Sequence, residues 1–184
     1  MKNPSAALAQ FAALVLITGA LTGCATLSES ECRSAAWSDV GFRDGRSGRV
    51  ADRISEHAKA CSEYGIVPDR AAYFEGRDEG LVDYCTMHNG FLVGSKNESY
   101  EGVCAVLDER QFLAGFNPGR ELYRARERLS GVESEIARID EKRKKDGLSE
   151  ADRSALVEKR IALEGERGEA RAALERLEWE TKEL

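Results

Sequence analysis

A phenylalanine or tyrosine followed three residues later by glycine recurs five times in this chain: Phe42–Gly45, Tyr73–Gly76, Phe91–Gly94, Phe112–Gly115 and Phe116–Gly119. Eleven Phe and Tyr residues and 17 glycines in 184 positions lead to about one such pairing by chance. The residues around the pattern, such as Ala71, Ala72, Leu81, Val82 and Tyr84, have no period-2 alternation and read as helix. Val67-Pro68-Asp69 reads as a helix start with Pro68 in the first turn. Glycine is about 1 kcal/mol worse than alanine inside a helix. Its repeated use there predicts close helix crossings, with the aromatic ring covering the adjacent groove. The positions singled out are Trp37, Gly41, Asp44, Gly45, Tyr73, Gly76, Gly80, Phe91, Gly94, Phe112 and Gly115. Gly41-x3-Gly45-x2-Gly48 also suggests a phosphate-cradling loop. No strand precedes it and no Lys-Ser/Thr follows, so packing is the stronger reading.

The N-terminus sets the compartment. Lys2 is followed by an uncharged apolar run from Ala6 to Ala20 and then by Leu21-Thr22-Gly23-Cys24, the layout of a secretory signal. With a cysteine at the cut site, it resembles the lipobox of bacterial lipoproteins. The resemblance implies cleavage after Gly23, diacylation of the Cys24 sulfur and acylation of the new amine, enough acyl chains for stable anchoring. Residues 1–23 are then a signal peptide and 24–31 a lipidated tether. Ala25 stands where Asp would signal inner-membrane retention in the best-known sorting scheme. The resemblance therefore points to the periplasmic face of the outer membrane. No later apolar run approaches the roughly 20 residues that a membrane span needs.

Cys24 assigned to lipid leaves Cys32, Cys61, Cys85 and Cys104. An even number in an oxidising compartment predicts disulfides, with three pairings open. Between Cys85 and Cys104 lie Thr86-Met87-His88-Asn89-Gly90 and Gly94-Ser95-Lys96-Asn97-Glu98-Ser99, which read as turns. A loop of that length needs tying. A Cys85–Cys104 bond would close it, contributing about 3 kcal/mol in the chain-entropy model, and Cys32–Cys61 follows by elimination. The competing use is zinc, from His57-x3-Cys61 and Cys85-x2-His88, but thiolate sites suit an oxidising compartment poorly. The net charge of −6 disfavours nucleic acid as a partner.

Composition divides the mature chain into a cysteine-bearing part, 32–118, and a segment, 119–184, with 16 Lys/Arg and 17 Asp/Glu among its 66 residues. Leu129, Val132, Ile136 and Ile139 form one apolar seam, and Leu156, Leu163, Ala170, Leu174 and Leu177 a second, interrupted by Arg160 and Arg167. Gly147 can end the first helix, and Ser149 with Asp152 resembles a cap for the next. Opposite charges at Asp140–Lys144, Glu141–Lys145, Arg171–Glu175 and Glu178–Lys182 are placed to support exposed helix faces. The fold expected is mainly α: a small disulfide-stapled, Gly/aromatic-rich helical domain followed by a charged, coiled-coil-like antiparallel hairpin.

Cys32-x4-Trp37-x3-Gly41-x2-Asp44-Gly45-x2-Gly48 and Cys61-x3-Gly65-x2-Pro68-Asp69 resemble the opening of a bacterial lipoprotein family catalogued as domain of unknown function 2799. Tyr73-x2-Gly76-Arg77-x2-Gly80-Leu81-x2-Tyr84-Cys85-Thr86, Asn89-Gly90-Phe91-x2-Gly94 and Tyr100-x-Gly102-Val103-Cys104 continue the match. Phe112-Leu113-x-Gly115-Phe116-x2-Gly119-Arg120-x-Leu122-Tyr123 ends it. The resemblance implies an envelope lipoprotein and carries no activity or catalytic residue.

No cofactor fingerprint and no metal set beyond the zinc spacing stands out, and the chain has two histidines, His57 and His88. Ser55 and Ser62 near His57 form no recognised nucleophile motif. The function expected is a non-catalytic structural or protein-interaction module, anchored to the membrane through Cys24, with the 119–184 hairpin as the protein-contact surface. The alternative is an envelope glycan hydrolase or glycan-binding module. It would use carboxylates among Asp44, Asp78, Glu79 and Asp83 beside Trp37 and Tyr73 in a cleft.

Overall fold

The computed structural model describes residues 25–182 and 184, so the signal peptide and the acylated Cys24 lie outside the described residues. Among the described residues, seven α-helices and one 3-10 turn follow one another: α1 (Glu29–Ser34), α2 (Trp37–Arg46), α3 (Arg53–Ser62), α4 (Arg70–Tyr84), α5 (Met87–Ser95), the turn (Val103–Val106), α6 (Glu109–Arg143) and α7 (Glu150–Glu180). Among the described residues there is no strand, and no helix is long and apolar enough to cross a membrane.

The glycines explain the packing. α2 lies on α4 and α5 lies on α6. A Cβ added to Gly41, Gly45, Gly76 or Gly80 would fall 1.9, 2.1, 1.9 and 2.2 Å from the carbonyl oxygens of Tyr73, Arg77, Ser38 and Phe42. In the second pair, Gly90, Gly94, Gly115 and Gly119 would meet the carbonyls of Phe112, Phe116, Met87 and Phe91 at 2.2, 2.2, 1.9 and 2.5 Å. These distances leave no room for a side chain, so the backbones touch. Shifting α2 by 49 residues onto α5, and α4 by 39 onto α6, maps the four contacts of one pair onto those of the other. In both pairs contact positions rise together along the two helices, so each pair runs parallel. The domain is one helix-crossing unit built twice.

Each unit has its own staple and apolar cluster, and the second cluster also takes Leu81 and Tyr84 from the end of α4. Cys32 is joined to Cys61 and Cys85 to Cys104, with Cα atoms 5.5 Å apart in each bond. The first core gathers Leu27, Cys32, Val40, Ile54, Cys61 and Tyr73. The second gathers Leu81, Tyr84, Val93, Val103, Phe112 and Phe116 around its disulfide. Tyr100 stacks on Phe112 with ring centroids 4.5 Å apart.

Three local expectations are corrected. Pro68 precedes the helix, because the Asp69 side chain caps it by accepting from the Ala72 amide. The segment read as turns holds α5, capped by Thr86; Gly90 and Gly94 are helical because the α6 backbone occupies the space of their missing side chains. The division drawn at 118/119 falls inside α6, a helix of 35 residues that runs through Pro118. Gly115 and Gly119 hold this stretch against α5 on either side of the proline, and that packing offsets the lost backbone bond.

Beyond Leu122, α6 and α7 form the antiparallel hairpin. Gly147 turns the chain at φ 81° and the Ser149 hydroxyl accepts from the Asp152 amide. At 1.5 Å per residue the 31-residue α7 is about 46 Å long. Ile136, Ile139 and Leu163 form the seam core, with Val132 and Leu156 packed against it. The charges depart from expectation. Arg126–Glu178 (3.1 Å), Glu135–Lys159 (2.7 Å), Asp140–Arg160 (2.7 Å) and Glu133–Arg171 (3.5 Å) bridge the two helices, and the pairs that do run along one, such as Glu135–Arg138 and Arg160–Glu164, are not those expected. Antiparallel helices bring the residues flanking each seam face to face, which the one-helix pairing rule ignores. Arg160 thus stands beside the seam as a strap across it.

Candidate functional site: a polar network beside three arginines

One place in the first core is polar. Asp44 on α2, Tyr73 on α4, His57 on α3 and Thr26 in the segment preceding α1 converge there. The Tyr73 hydroxyl donates to Asp44 Oδ2 (2.7 Å), and His57 Nε2 is 2.8 Å from the same oxygen. His57 Nδ1 lies 2.7 Å from the Thr26 hydroxyl. A carboxylate only accepts, so Nε2 carries the proton given to Asp44, and in the neutral ring Nδ1 is the acceptor for the Thr26 hydroxyl. His57 is 3% exposed and Tyr73 fully buried.

Electrostatics keep this arrangement. Burial alone would raise the Asp44 pKa, but hydrogen bonds from His57 and Tyr73 hold it below the ordinary value. Burial, and then the hydrogen bond to Asp44, push the Tyr73 phenol upward, so it remains a donor. The second unit provides an internal control. The shift that superposes the glycines places Val93 at the position of Asp44 and Phe112 at that of Tyr73, and both are buried in an apolar core. The crossing folds without polar residues there, so the network is not a requirement of the fold.

The network opens on a shallow hollow of about 240 Å³, lined by Thr26, Leu27, Glu31, Val40, Arg43, Asp44, Ser47, Arg49, Arg53 and His57. A neighbouring hollow of about 370 Å³, sharing Glu31, Val40 and Arg43, is lined by no histidine, cysteine or tyrosine. Of the carboxylates considered beside Asp44, Asp78 is exposed 4.0 Å from the Arg77 guanidinium, and Asp83 is exposed 4.0 Å from Arg46. Glu79 is exposed, and Asp78, Glu79 and Asp83 do not line either hollow. Trp37 packs against the first core. Ser55 bonds to Asp52 and Ser62 to the Lys59 carbonyl. The zinc spacing is taken apart: Cys61 and Cys85 belong to different disulfides, and His88 bonds to the Leu184 main-chain oxygen at 2.8 Å. Among the described residues no three His, Cys, Asp or Glu side chains gather as metal ligands.

Thr26, Arg49 and Arg53 escaped the sequence reading. Thr26 lies 31 residues from His57, and no local spacing announces that contact.

Taken together, the chain is a disulfide-stapled helical domain, made of two glycine-paired units, that extends into a charged hairpin. Residues 36–121 match the family described as Protein of unknown function (DUF2799). The matched span covers both units and stops where the hairpin leaves the domain. No curated protein and no solved structure matches the chain.

Proposed function

We propose that this is an envelope lipoprotein, held by lipid on Cys24 at the periplasmic face of the outer membrane, whose hairpin makes non-catalytic contacts with a protein partner. The anchor rests on the lipobox resemblance, and the outer membrane on Ala25. One observation carries the interaction reading. The outward side of α7 is apolar in a segment that is half charged: Ile161 is 67% and Trp179 76% exposed, with Val157 beside them. Gly165 and Gly168 on the same side have nothing within 4 Å of an added Cβ, whereas the eight glycines of the paired helices are all crowded. An exposed face of this composition suits burial against another protein. In-cell crosslinking with mass spectrometry, comparing the full chain with one ending at Tyr123, tests it. Loss of partners from the shorter chain supports the reading, and retention of every partner rejects it.

A hydrolase has one observation in its favour, the chain of hydroxyl, imidazole and carboxylate from Thr26 through His57 to Asp44. Against it, the imidazole is almost wholly enclosed, Tyr73 is buried, and no Phe, Tyr or Trp lines the adjoining hollow. Peptidoglycan release that disappears in Thr26→Ala would favour this alternative.

A further inference from the structure

We infer that the hollow beside Thr26 is an anion site that receives the phosphate of a membrane phospholipid, so that the domain rests on the bilayer surface. The inference rests on the lipid-anchor reading for the source of the phosphate, but the site itself stands on the residues. Three arginines, Arg43, Arg49 and Arg53, line the hollow with the hydroxyls of Thr26 and Ser47. The Asp44 carboxylate on the same wall is already taken by His57 and Tyr73, and Glu31 is turned to the Ser28 cap. Arg53 pairs with Glu56 through one terminal nitrogen, while its Nε is buried with no partner. Guanidinium groups present planar forks of donors that match phosphate oxygens. A hollow of about 240 Å³ is wide enough for such a group.

Chain length fixes the orientation. Leu27 is 5% exposed in the first core, and Thr26 is bonded to His57, so the chain is docked from Thr26 onward. Thr26 is two steps along the chain from Cys24, with only Ala25 between them, and a fully extended chain gains at most ~3.6 Å per residue. An acylated Cys24 therefore holds the hollow within about 7 Å of the lipid attachment point, at the depth of the headgroup phosphates. Against the two lining carboxylates, Glu31 and Asp44, the three arginines leave the hollow one positive charge ahead in a chain of net charge −6.

The test uses the full chain reconstituted into phosphatidylcholine vesicles with and without phosphatidylglycerol, digested briefly with trypsin. Cleavage after Arg49, in the exposed turn between α2 and α3, should slow at least tenfold in the anionic vesicles relative to nonionic detergent. Cleavage at Lys144 and Lys145 in the hairpin turn should not change, which controls for the protease. Equal cleavage at both places in floating vesicles overturns the inference and leaves the anchor intact. If Cys24→Ala floats as well as the parent, the anchor reading is what fails. Titration of the detergent-solubilised full chain with inorganic phosphate examines the site without lipid. A rise in melting temperature that is at least halved in Arg43→Gln/Arg49→Gln supports it, and no rise overturns it. These two side chains are exposed, so the variant should melt like the parent without phosphate.

Discussion

Gly115→Ala and Gly168→Ala are the same chemical change on helices of the same chain, and the structure assigns them opposite signs. Replacing glycine by alanine in a helix interior stabilises by about 0.5–1 kcal/mol where space allows. Gly168 is open, so its variant should gain that amount. At Gly115 the new Cβ would lie 1.9 Å from the Met87 carbonyl oxygen. An ordinary contact needs well over 3 Å, so α5 and α6 must part by more than an ångström along a crossing where Gly90, Gly94 and Gly119 are also too tight for a side chain, at 2.2, 2.2 and 2.5 Å. Overpacking of this kind costs typically 1–3 kcal/mol and sometimes more. Because the obstacle is backbone, which cannot rotate away, a loss of about 3 kcal/mol is expected. The assay is urea unfolding of the oxidised full chain followed by helical circular dichroism. Gly76→Ala, the equivalent change in the first unit, should behave like Gly115→Ala. If Gly115→Ala proved as stable as Gly168→Ala, the backbone crossing would be wrong.

Replacing the Cys85–Cys104 disulfide by serines should lower stability by about 3 kcal/mol, and loss of Cys32–Cys61, which closes a longer loop, by slightly more, read as urea midpoints. The Asp44 pKa is depressed in the folded state, so its contribution is present above the ordinary carboxylate value of 3.8 and is lost as pH falls through the lower folded value. Asp44→Asn should therefore flatten the acid limb of a stability profile, and an unchanged limb would refute that role. The Tyr100 phenol is pushed up to about 12, first by burial and also by its bond to Glu109. Its share of stability is complete below pH 10 and disappears as pH rises toward 12, which fluorescence-monitored alkaline unfolding should record. The combined change Asp44→Val and Tyr73→Phe copies the residues of the second unit, and His57→Leu removes the imidazole that would otherwise lose its carboxylate. It should fold with stability within about 1.5 kcal/mol of the parent, since replacing all the buried partners of a hydrogen-bonded cluster by apolar groups of similar shape can be nearly neutral, and Thr26 at the rim can turn to water.

Much of the scaffold is legible in the sequence because it is written in local currency. Glycines spaced by four on helices announce close crossings, and a seam spaced by three and four announces the hairpin. Other parts are settled by partners distant in sequence. α5 is a helix because α6 lies against Gly90 and Gly94, although those glycines read as turn signals. Pro118 reads as a boundary, but flanking contacts carry α6 through it. The duplication escapes notice because its two helices are displaced by different amounts, 49 and 39 residues, so no single period repeats, and because Asp44 in one unit corresponds to Val93 in the other. Side-chain identity has diverged where backbone geometry has not. The network is visible only in three dimensions, since Thr26, Asp44, His57 and Tyr73 come from four separate segments.

The claim that α7 presents a contact face is tested most directly by placing a photoreactive phenylalanine analogue at Ile161 or at Glu166 and irradiating living cells. Both positions are exposed, but Ile161 lies on the apolar side with Trp179, and Glu166 lies outside that stripe. The account predicts a discrete adduct from position 161 that is lost when Trp179→Glu is added, and little or none from position 166. Equal adducts from the two positions, or an adduct from 161 indifferent to Trp179→Glu, would contradict it.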